Sequence, residues 1–254
     1  MRKFNETWLV FSRAMRLSLR NPIWVILGLM QPILYLALFG PLLEPVASAP
    51  GFPPGDAWQV FVPGLLVQLG MFGAAFVGFG LIAEWRAGVV ERMRVTPASR
   101  GALLLGRVLR DVVVLVVQGA VLIGSAVLFF GLDAPLRSLL TGLAIVALLG
   151  AAFSALSYGA ALKMKSEDAF APLINGVILP VLLLSGILLP MTLAPNWLQT
   201  LADANPLTHI VDGVRAVFRG ETGSSESLLG AGLTIALLVV GVFYGARVFR
   251  RESA

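Results

Sequence analysis

Six long apolar stretches dominate this chain of 254 residues and restrict its fold more than any other feature. A helix needs about 20 apolar residues to cross the hydrocarbon core of a bilayer. The stretches meet or approach that length, and the fifth contains Pro180 and Gly186, which indicate a bent or incomplete span. They cover residues 23–43, 58–83, 103–130, 139–162, 171–189 and 228–249. With 57% hydrophobic residues and a mean hydropathy of +0.87, the sequence predicts an all-α polytopic membrane protein with six transmembrane helices in one domain, 1–254.

Lysine and arginine are distributed unevenly between the segments that join these stretches. Of the 19 Lys and Arg residues, 16 fall within 1–22, 84–111, 163–168 and 247–254. Segments with such an excess stay in the cytoplasm, so the pattern predicts that both termini are cytoplasmic. The same rule accounts for the pI near 10.2, which in a soluble protein would suggest nucleic acid. We expect membrane lipid and no nucleic acid as a partner. The preference for arginine over lysine, 16 of 19, indicates a GC-rich bacterial genome, so we expect the membrane to be a bacterial inner membrane.

The sequence also argues against several kinds of catalytic site. It has no cysteine and a single histidine, His209, so disulfides, thiolate metal sites and a zinc enzyme are not expected. A phosphate-binding loop of the form G-x-x-x-x-G-K-[ST] is missing, and none of Lys3, Lys163 and Lys165 follows a glycine. We therefore expect a chain that is not an enzyme and that binds no metal or nucleotide cofactor itself.

Residues 1–22 have the pattern of an amphipathic helix. At 100° per residue, one side carries Phe4, Trp8, Phe11, Met15 and Leu19, and the other carries Arg2, Glu6, Arg13, Arg16 and Arg20. This pattern predicts an interfacial helix that lies on the membrane. The helix serves either for anchoring alone or also as one wall of a docking cleft.

Segment 84–111 is a charged island that carries six arginines between two apolar stretches. Trp85, Val89 and Met93 repeat every four residues, which predicts a short amphipathic helix on a cytoplasmic loop. A soluble partner can push such a helix as a lever. Glu84 and Glu91 are seven residues apart and would share a face, so they either meet a basic partner or pair locally with arginines. Further along, Arg107 and Asp111 are spaced for a structural ion pair.

Residues 190–220 predict a helical hairpin that enters the outer leaflet without crossing it. Asn205 is a good N-cap and Pro206 a good first helical residue, and Gly220 stands where a helix would end. Between Pro206 and Gly220, an apolar face opposes a polar face. The apolar face comprises Leu207, Ile210, Val211, Val214 and Phe218, and the polar face comprises Thr208, Asp212, Arg215 and Arg219. His209, Asp212 and Arg215 are either a sensing cluster or ordinary hydrogen-bonding residues.

Two sets of small residues have the spacing that allows helices to approach closely. Gly70, Ala74 and Gly78 predict packing within the chain. Gly241 and Gly245 are compatible with packing within the chain or between two copies.

Three blocks of sequence together resemble a known family. The first is Arg20-Asn21-Pro22 followed by Gln31-Pro32, and the second is Glu84, Gly88, Glu91 and Thr96-Pro97-Ala98-Ser99-Arg100. The third comprises Leu184-Ser185-Gly186, Pro190, Pro195, Trp197, Leu198, Asn205-Pro206-Leu207 and Asp212-Gly213-Val214-Arg215. In this order, over nearly the whole chain, the blocks resemble the membrane-spanning permease subunit of type-2 ATP-binding cassette exporters, such as daunorubicin-resistance permeases and polysaccharide exporters.

The resemblance implies a role for each block. Segment 84–98 would be the ATPase-coupling segment, with a coupling helix over 84–95, and the N-terminal helix would flank the docking cleft. The coupling residues would be Glu84, Trp85, Gly88, Glu91, Arg92, Thr96 and Pro97, with Trp8, Arg13 and Arg16 in the cleft. The outer gate would comprise Pro195, Trp197, Asn205, Pro206, Asp212 and Arg215. Two copies of a separate P-loop ATPase would bind ATP and Mg, and a second permease chain, in a homodimer, would complete the path for an amphiphilic drug, lipid or glycolipid.

Two other functions are compatible with six spans. An ion-driven secondary transporter usually has mid-membrane charges and inverted repeats, and this sequence shows few such charges and no convincing repeat. An intramembrane protease would need a dyad such as Ser185 and His209, but their spacing and flanking residues support nothing specific.

Overall fold

The computed structural model describes residues 2–48, 50, 52–89 and 99–252. Four of the expected coupling residues, Glu91, Arg92, Thr96 and Pro97, lie outside them. The described chain forms ten α-helices and one short 3-10 turn, Met191–Leu193. The helices are α1 (Arg2–Arg20), α2 (Ile23–Val46), α3 (Ala57–Ala75), α4 (Val77–Arg86), α5 (Arg100–Phe130), α6 (Leu136–Met164), α7 (Glu167–Leu184), α8 (Asn196–Asp203), α9 (Pro206–Phe218) and α10 (Ser225–Glu252).

Six helical segments are long and apolar enough to cross a membrane, which confirms the predicted number of spans. They are α2, α3 with α4, α5, α6, α7 and α10. The fifth span is shorter than its apolar stretch, because α7 ends at Leu184 and the backbone then turns at Gly186 with a φ of +71°. Only glycine adopts this left-handed conformation readily, so Gly186 rather than Pro180 marks the early end of the span.

Helix α6 lies at the centre of the bundle and is approached closely by α3 and α10. A Cβ atom on Gly70 of α3 would lie 2.9 Å from Val146 Cγ1, and one on Gly241 of α10 would lie 2.6 Å from the carbonyl oxygen of Ala152. Gly78 and Gly245 approach α6 in the same way. Packing of the first set within the chain is therefore confirmed, and the second set, which the sequence left open, also packs within the chain. In both sets, glycine allows the helix backbones to approach more closely than a larger residue would.

The second span contains a break that sequence patterns did not indicate. Helix α3 ends at Ala75, and α4 begins at Val77 after Phe76. The buried hydroxyl of Ser157 on α6 donates to the Ala75 carbonyl oxygen at 2.6 Å and accepts from the Gly78 N–H at 3.0 Å. A polar backbone group left unpaired in the membrane costs several kcal/mol, so one serine makes the break tolerable.

Candidate functional site

The described part of the expected coupling segment lies at the arginine-rich end of the bundle. This end is formed by α1, the last turn of α4 and the first turns of α5 and α7. Glu84 Oε2 lies 2.5 Å from Arg107 Nη2 of α5, and Arg86 Nη1 lies 3.1 Å from Glu167 Oε1 of α7. The ammonium group of Lys165, in the turn between α6 and α7, lies 4.7 Å from the centre of the Trp85 ring. The last turn of α4 is therefore joined to three neighbouring parts of the bundle.

The two ion pairs differ in strength because they differ in burial. The side chains of Arg86 and Glu167 are 53% and 41% exposed, and such exposed pairs contribute at most about 1 kcal/mol. The Arg107 side chain is 8% exposed and that of Glu84 is 32% exposed. A buried guanidinium needs a counter-charge, so removing Glu84 is far more disruptive than removing Glu167. Glu84 thus pairs with an arginine of the same chain, as one of the two alternatives held, but that arginine lies on another helix and not at a neighbouring position.

The coupling helix does not run through Gly88. Helix α4 ends at Arg86, the N–H of Gly88 donates to the Trp85 carbonyl oxygen at 2.9 Å, and Gly88 has a φ of +69°. The prediction of one continuous helix over 84–95 is therefore wrong, because a left-handed residue interrupts it. A seven-residue spacing therefore does not place Glu84 and Glu91 on one face of a single helix. Glu84 and Trp85 belong to the end of the membrane span, and Gly88 forms the turn that leaves it.

Helix α1 packs on the start of α5, where Gly106 allows a close approach, and leaves much of its aromatic side uncovered by the described protein. A Cβ atom on Gly106 would lie 2.7 Å from Val10 Cβ. Phe4, Trp8 and Leu19 remain exposed, with 73%, 54% and 71% of their surface accessible. The expected cleft residues Arg13 and Arg16 are exposed as well. These cleft residues are therefore available to a partner or to lipid.

Deeper in the bundle, Asp111 is buried among polar side chains. Its Oδ1 lies 3.2 Å from Arg110 Nε, and Arg110 Nη2 donates to the Tyr158 hydroxyl at 3.5 Å. The sequence predicted a structural pair between Arg107 and Asp111. The structure pairs Arg107 with Glu84 and places Asp111 beside Arg110.

At the opposite end, α8 and α9 follow one another with only Ala204 and Asn205 between them. This pair of helices (the hairpin) lies in the segment for which the sequence predicts an outer-leaflet hairpin. The Asn205 side chain accepts a hydrogen bond from the Leu207 N–H at 3.1 Å, and Pro206 is the first residue of α9. The predicted cap is therefore confirmed. Asn205 also donates to the carbonyl oxygen of Val181 at 2.8 Å, which fixes the start of α9 to α7. The five residues of the predicted apolar face, Leu207, Ile210, Val211, Val214 and Phe218, are all buried.

Arg215, which the amphipathic pattern places on the polar face of α9, is only 3% exposed. Its guanidinium donates to the carbonyl oxygen of Val60 on α3 at 3.0 Å, to that of Gly186 at 2.7 Å and to Asp212 Oδ1 at 3.2 Å. These bonds compensate the burial of the charge. Loss of hydration raises the pKa of the half-exposed Asp212 carboxyl above its usual value, and Arg215 offsets only part of this rise. Arg215 therefore joins the hairpin to α3 and to the turn after α7.

A cavity of about 110 Å³ opens beside Arg215. Its polar lining comprises Ser185, Thr192, Gln199, Asp203, Thr208, Asp212 and Arg215. The Ser185 hydroxyl donates to the Leu182 carbonyl oxygen at 2.7 Å, and His209 Nε2 lies 3.0 Å from the carbonyl oxygen of Asp203. Both side chains thus bond to nearby backbone, as expected of structural residues rather than a protease dyad. The remaining expected gate residues, Pro195 and Trp197, lie at the start of α8, where Trp197 is 66% exposed.

Comparison with known proteins identifies the class to which this architecture belongs. The family model described as "ABC-2 type transporter" matches residues 5–218. The chain is 26% identical over 242 residues to a putative transport permease ycf38 of Cyanophora paradoxa, with 91% of this chain and 83% of the relative covered. It is 24% identical over 245 residues to the daunorubicin resistance ABC transporter permease protein DrrB1 of Streptomyces coeruleorubidus, with 95% and 85% covered. It is 30% identical over 229 residues to nodulation protein J of Rhizobium leguminosarum bv. trifolii, with 88% and 84% covered.

These likenesses extend along nearly the whole chain and agree with the six spans. They do not support an ion-driven secondary transporter. Permeases of this family work with a separate ATP-binding subunit and are not themselves the ATPase. This multi-pass membrane protein therefore belongs to the ABC-2 type transporter family and is the permease subunit of an ABC exporter.

Proposed function

We propose that two copies of this chain pair around one path and export an amphiphilic molecule across a bacterial inner membrane, driven by two ATPase subunits that bind ATP and Mg. The arginine-rich end would face the cytoplasm, with both chain termini, because 16 of the 19 Lys and Arg residues lie in segments of this side. A drug, lipid or glycolipid is the proposed class of substrate. The drug-resistance name of the Streptomyces coeruleorubidus relative supports this class.

The Glu84–Arg107 pair is the observation that carries the proposed mechanism. Segment 84–98 begins at the last turn of α4 and ends just before α5. A force applied to this segment therefore acts on two membrane spans at once, and the largely buried pair between them resists their separation. In this mechanism Glu84 and Trp85 hold the segment to the bundle, and Gly88 sets its direction. Glu91, Arg92, Thr96 and Pro97 contribute through the part of the segment that lies outside the described residues.

The exposed arginine side of α1 would form a second contact with the ATPase. Arg13 and Arg16 are exposed, on the same end of the bundle as Glu84. Closure of the ATPase subunits on ATP would push the coupling segment and α1. The permease then changes between inward-facing and outward-facing states, provided that the nucleotide-bound ATPase binds one state better than the other.

At the opposite end, the hairpin of α8 and α9 would act as the outer gate. Arg215 joins α9 to α3 and to the turn at Gly186, so opening the gate requires these three bonds to move together or to break. Asn205, Pro206 and Asp212 hold the start and middle of α9 in this arrangement. Pro195 and Trp197 form the outer rim of the hairpin.

Isolation of the chain from its native host in mild detergent tests the proposal. We expect a soluble P-loop ATPase to be recovered in near-equal amount. The double charge reversal Arg13→Glu with Arg16→Glu should reduce this recovery. The matched control is Arg137→Glu, an exposed arginine at the opposite end, which should leave recovery unchanged. Recovery of the permease without any ATPase would contradict the proposal, as would equal recovery from both charge-reversed variants.

A further inference from the structure

Helix α5 begins with a cap that another helix provides. Ser99 precedes its first residue in an extended conformation, and its own side chain makes no capping hydrogen bond to the described first turn. Instead, the Ser99 backbone N–H donates to Glu6 Oε2 of α1 at 2.9 Å, in a partly buried position. A carboxylate is favoured there because the first N–H groups of a helix have no partner within it and carry partial positive charge.

A second contact fixes α1 against the same end of α5. A Cβ atom on Gly106 would lie 2.8 Å from the Thr7 carbonyl oxygen and 2.7 Å from Val10 Cβ, so the two backbones touch. Ser99 and Gly106 are seven residues apart and hence lie on one side of α5, about two turns from each other. Two contacts at different heights prevent α1 from pivoting about either one.

We propose that Glu6 is a positioning residue that makes α1 and the start of α5 move as one unit when the ATPase acts. Ser99 directly follows segment 84–98, so the carboxylate joins the exit of that segment to the helix that carries the exposed arginines. Glu6 lies on the arginine-rich side of α1, where the amphipathic pattern requires a polar residue but not an acidic one. The bond to the Ser99 N–H gives a reason for the negative charge at this position. This inference rests on the proposed function, because it assigns a transmission role within it.

The test compares Glu6→Ala and Glu6→Gln with two matched controls in the complex of permease and ATPase. Ser99→Ala removes a hydroxyl that makes no capping bond and leaves the backbone N–H in place. Asn5→Ala alters the neighbouring exposed position. Proteoliposomes then report substrate exported per ATP hydrolysed, and hydrogen exchange reports opening of the first turn of α5.

We expect Glu6→Ala to lower the export per ATP by about three- to tenfold and to speed exchange in the first turn of α5 by roughly fivefold, as loss of a helix cap does. Glu6→Gln keeps an acceptor without the charge and should fall between Glu6→Ala and wild type. Both controls should match wild type.

Faster exchange with an unchanged export ratio in Glu6→Ala would reduce Glu6 to a local cap and overturn the inference. Unchanged exchange would show that the capping bond does not form, which also overturns it. These outcomes are distinct from failure of the proposed function, in which wild-type proteoliposomes would show no ATP-driven export.

Discussion

Replacing Arg215 by alanine tests how the outer hairpin is attached to the bundle. The variant leaves the carbonyl oxygens of Val60 and Gly186 without their buried donor and Asp212 without its ion partner. Each hydrogen bond from a charged group contributes about 1.5–3 kcal/mol, so the two buried bonds together contribute about 3–6 kcal/mol. The Asp212 pair adds little, because its carboxylate is 47% exposed and such pairs contribute at most about 1 kcal/mol.

Thermal unfolding in detergent, followed by tryptophan fluorescence, measures this loss. For a chain of this size each kcal/mol corresponds to about 2–4 °C, so we expect Arg215→Ala to lower the midpoint by roughly 6–24 °C. Asp212→Asn is the matched control, because it removes the ion pair and retains both carbonyl bonds. It should lower the midpoint by only a few degrees.

Arg215→Lys separates charge from geometry. Lysine keeps the positive charge but cannot present the fixed, planar set of donors that reaches three acceptors, so its midpoint should lie near that of alanine. Equal midpoints for Arg215→Ala and Asp212→Asn would refute the reasoning, since they would show that the two buried carbonyl bonds do not stabilise the hairpin. A wild-type midpoint for Arg215→Lys would show that charge alone is sufficient.

Three further predictions concern glycine packing, the turn after α4 and the orientation in the membrane. Gly78→Ala should lower the unfolding midpoint through a loss of about 1–3 kcal/mol, because its new methyl group would meet α6 and α7. Gly80→Ala should not lower it, because no described atom lies within 4 Å of the new methyl group. Equal effects of the two changes would contradict the packing. Gly88→Ala should destabilise by about 1–2 kcal/mol and Gly88→Asn by less, because asparagine tolerates a left-handed backbone better, and the same midpoint for both would refute this. Since the chain has no cysteine, single cysteines at Asn5 and Gly223 can be labelled in intact cells: only the second should react with an impermeant maleimide, and the reverse pattern would contradict the orientation.

The sequence predicted those parts of the fold that depend on local composition and spacing. Six spans follow from the length of the apolar stretches, and the start of α9 follows from Asn205 and Pro206, whose capping geometry is determined within three residues. The apolar face of α9 was predicted correctly for the same reason. These features require no knowledge of which helices are neighbours.

The contacts of the candidate site could not be predicted in this way, because they join residues far apart in the chain. Arg215 bonds to a carbonyl oxygen 155 residues away, and Glu84 pairs with an arginine 23 residues away on another helix. The amphipathic pattern places Arg215 on the polar face of α9 but does not indicate that this part of the face is buried. Only the packed bundle shows that the carbonyl oxygens of Val60 and Gly186 accept hydrogen bonds from its guanidinium.

The error over the coupling helix has a different cause. The repeat of Trp85, Val89 and Met93 matches a helix, and an isolated glycine inside such a pattern is often tolerated. Gly88 instead adopts a left-handed conformation, and the helix ends before it, at Arg86. The glycine itself was the available signal, since glycine commonly follows the end of a helix.

ATP-driven export in proteoliposomes tests the central claim most directly. The permease and its ATPase would be reconstituted without any ion gradient, together with an amphiphilic fluorescent substrate. We predict transport on addition of ATP and Mg, and no transport when the P-loop lysine of the ATPase is replaced. Transport that proceeds without ATP when an ion gradient is imposed, and that is indifferent to the ATPase variant, would contradict the account.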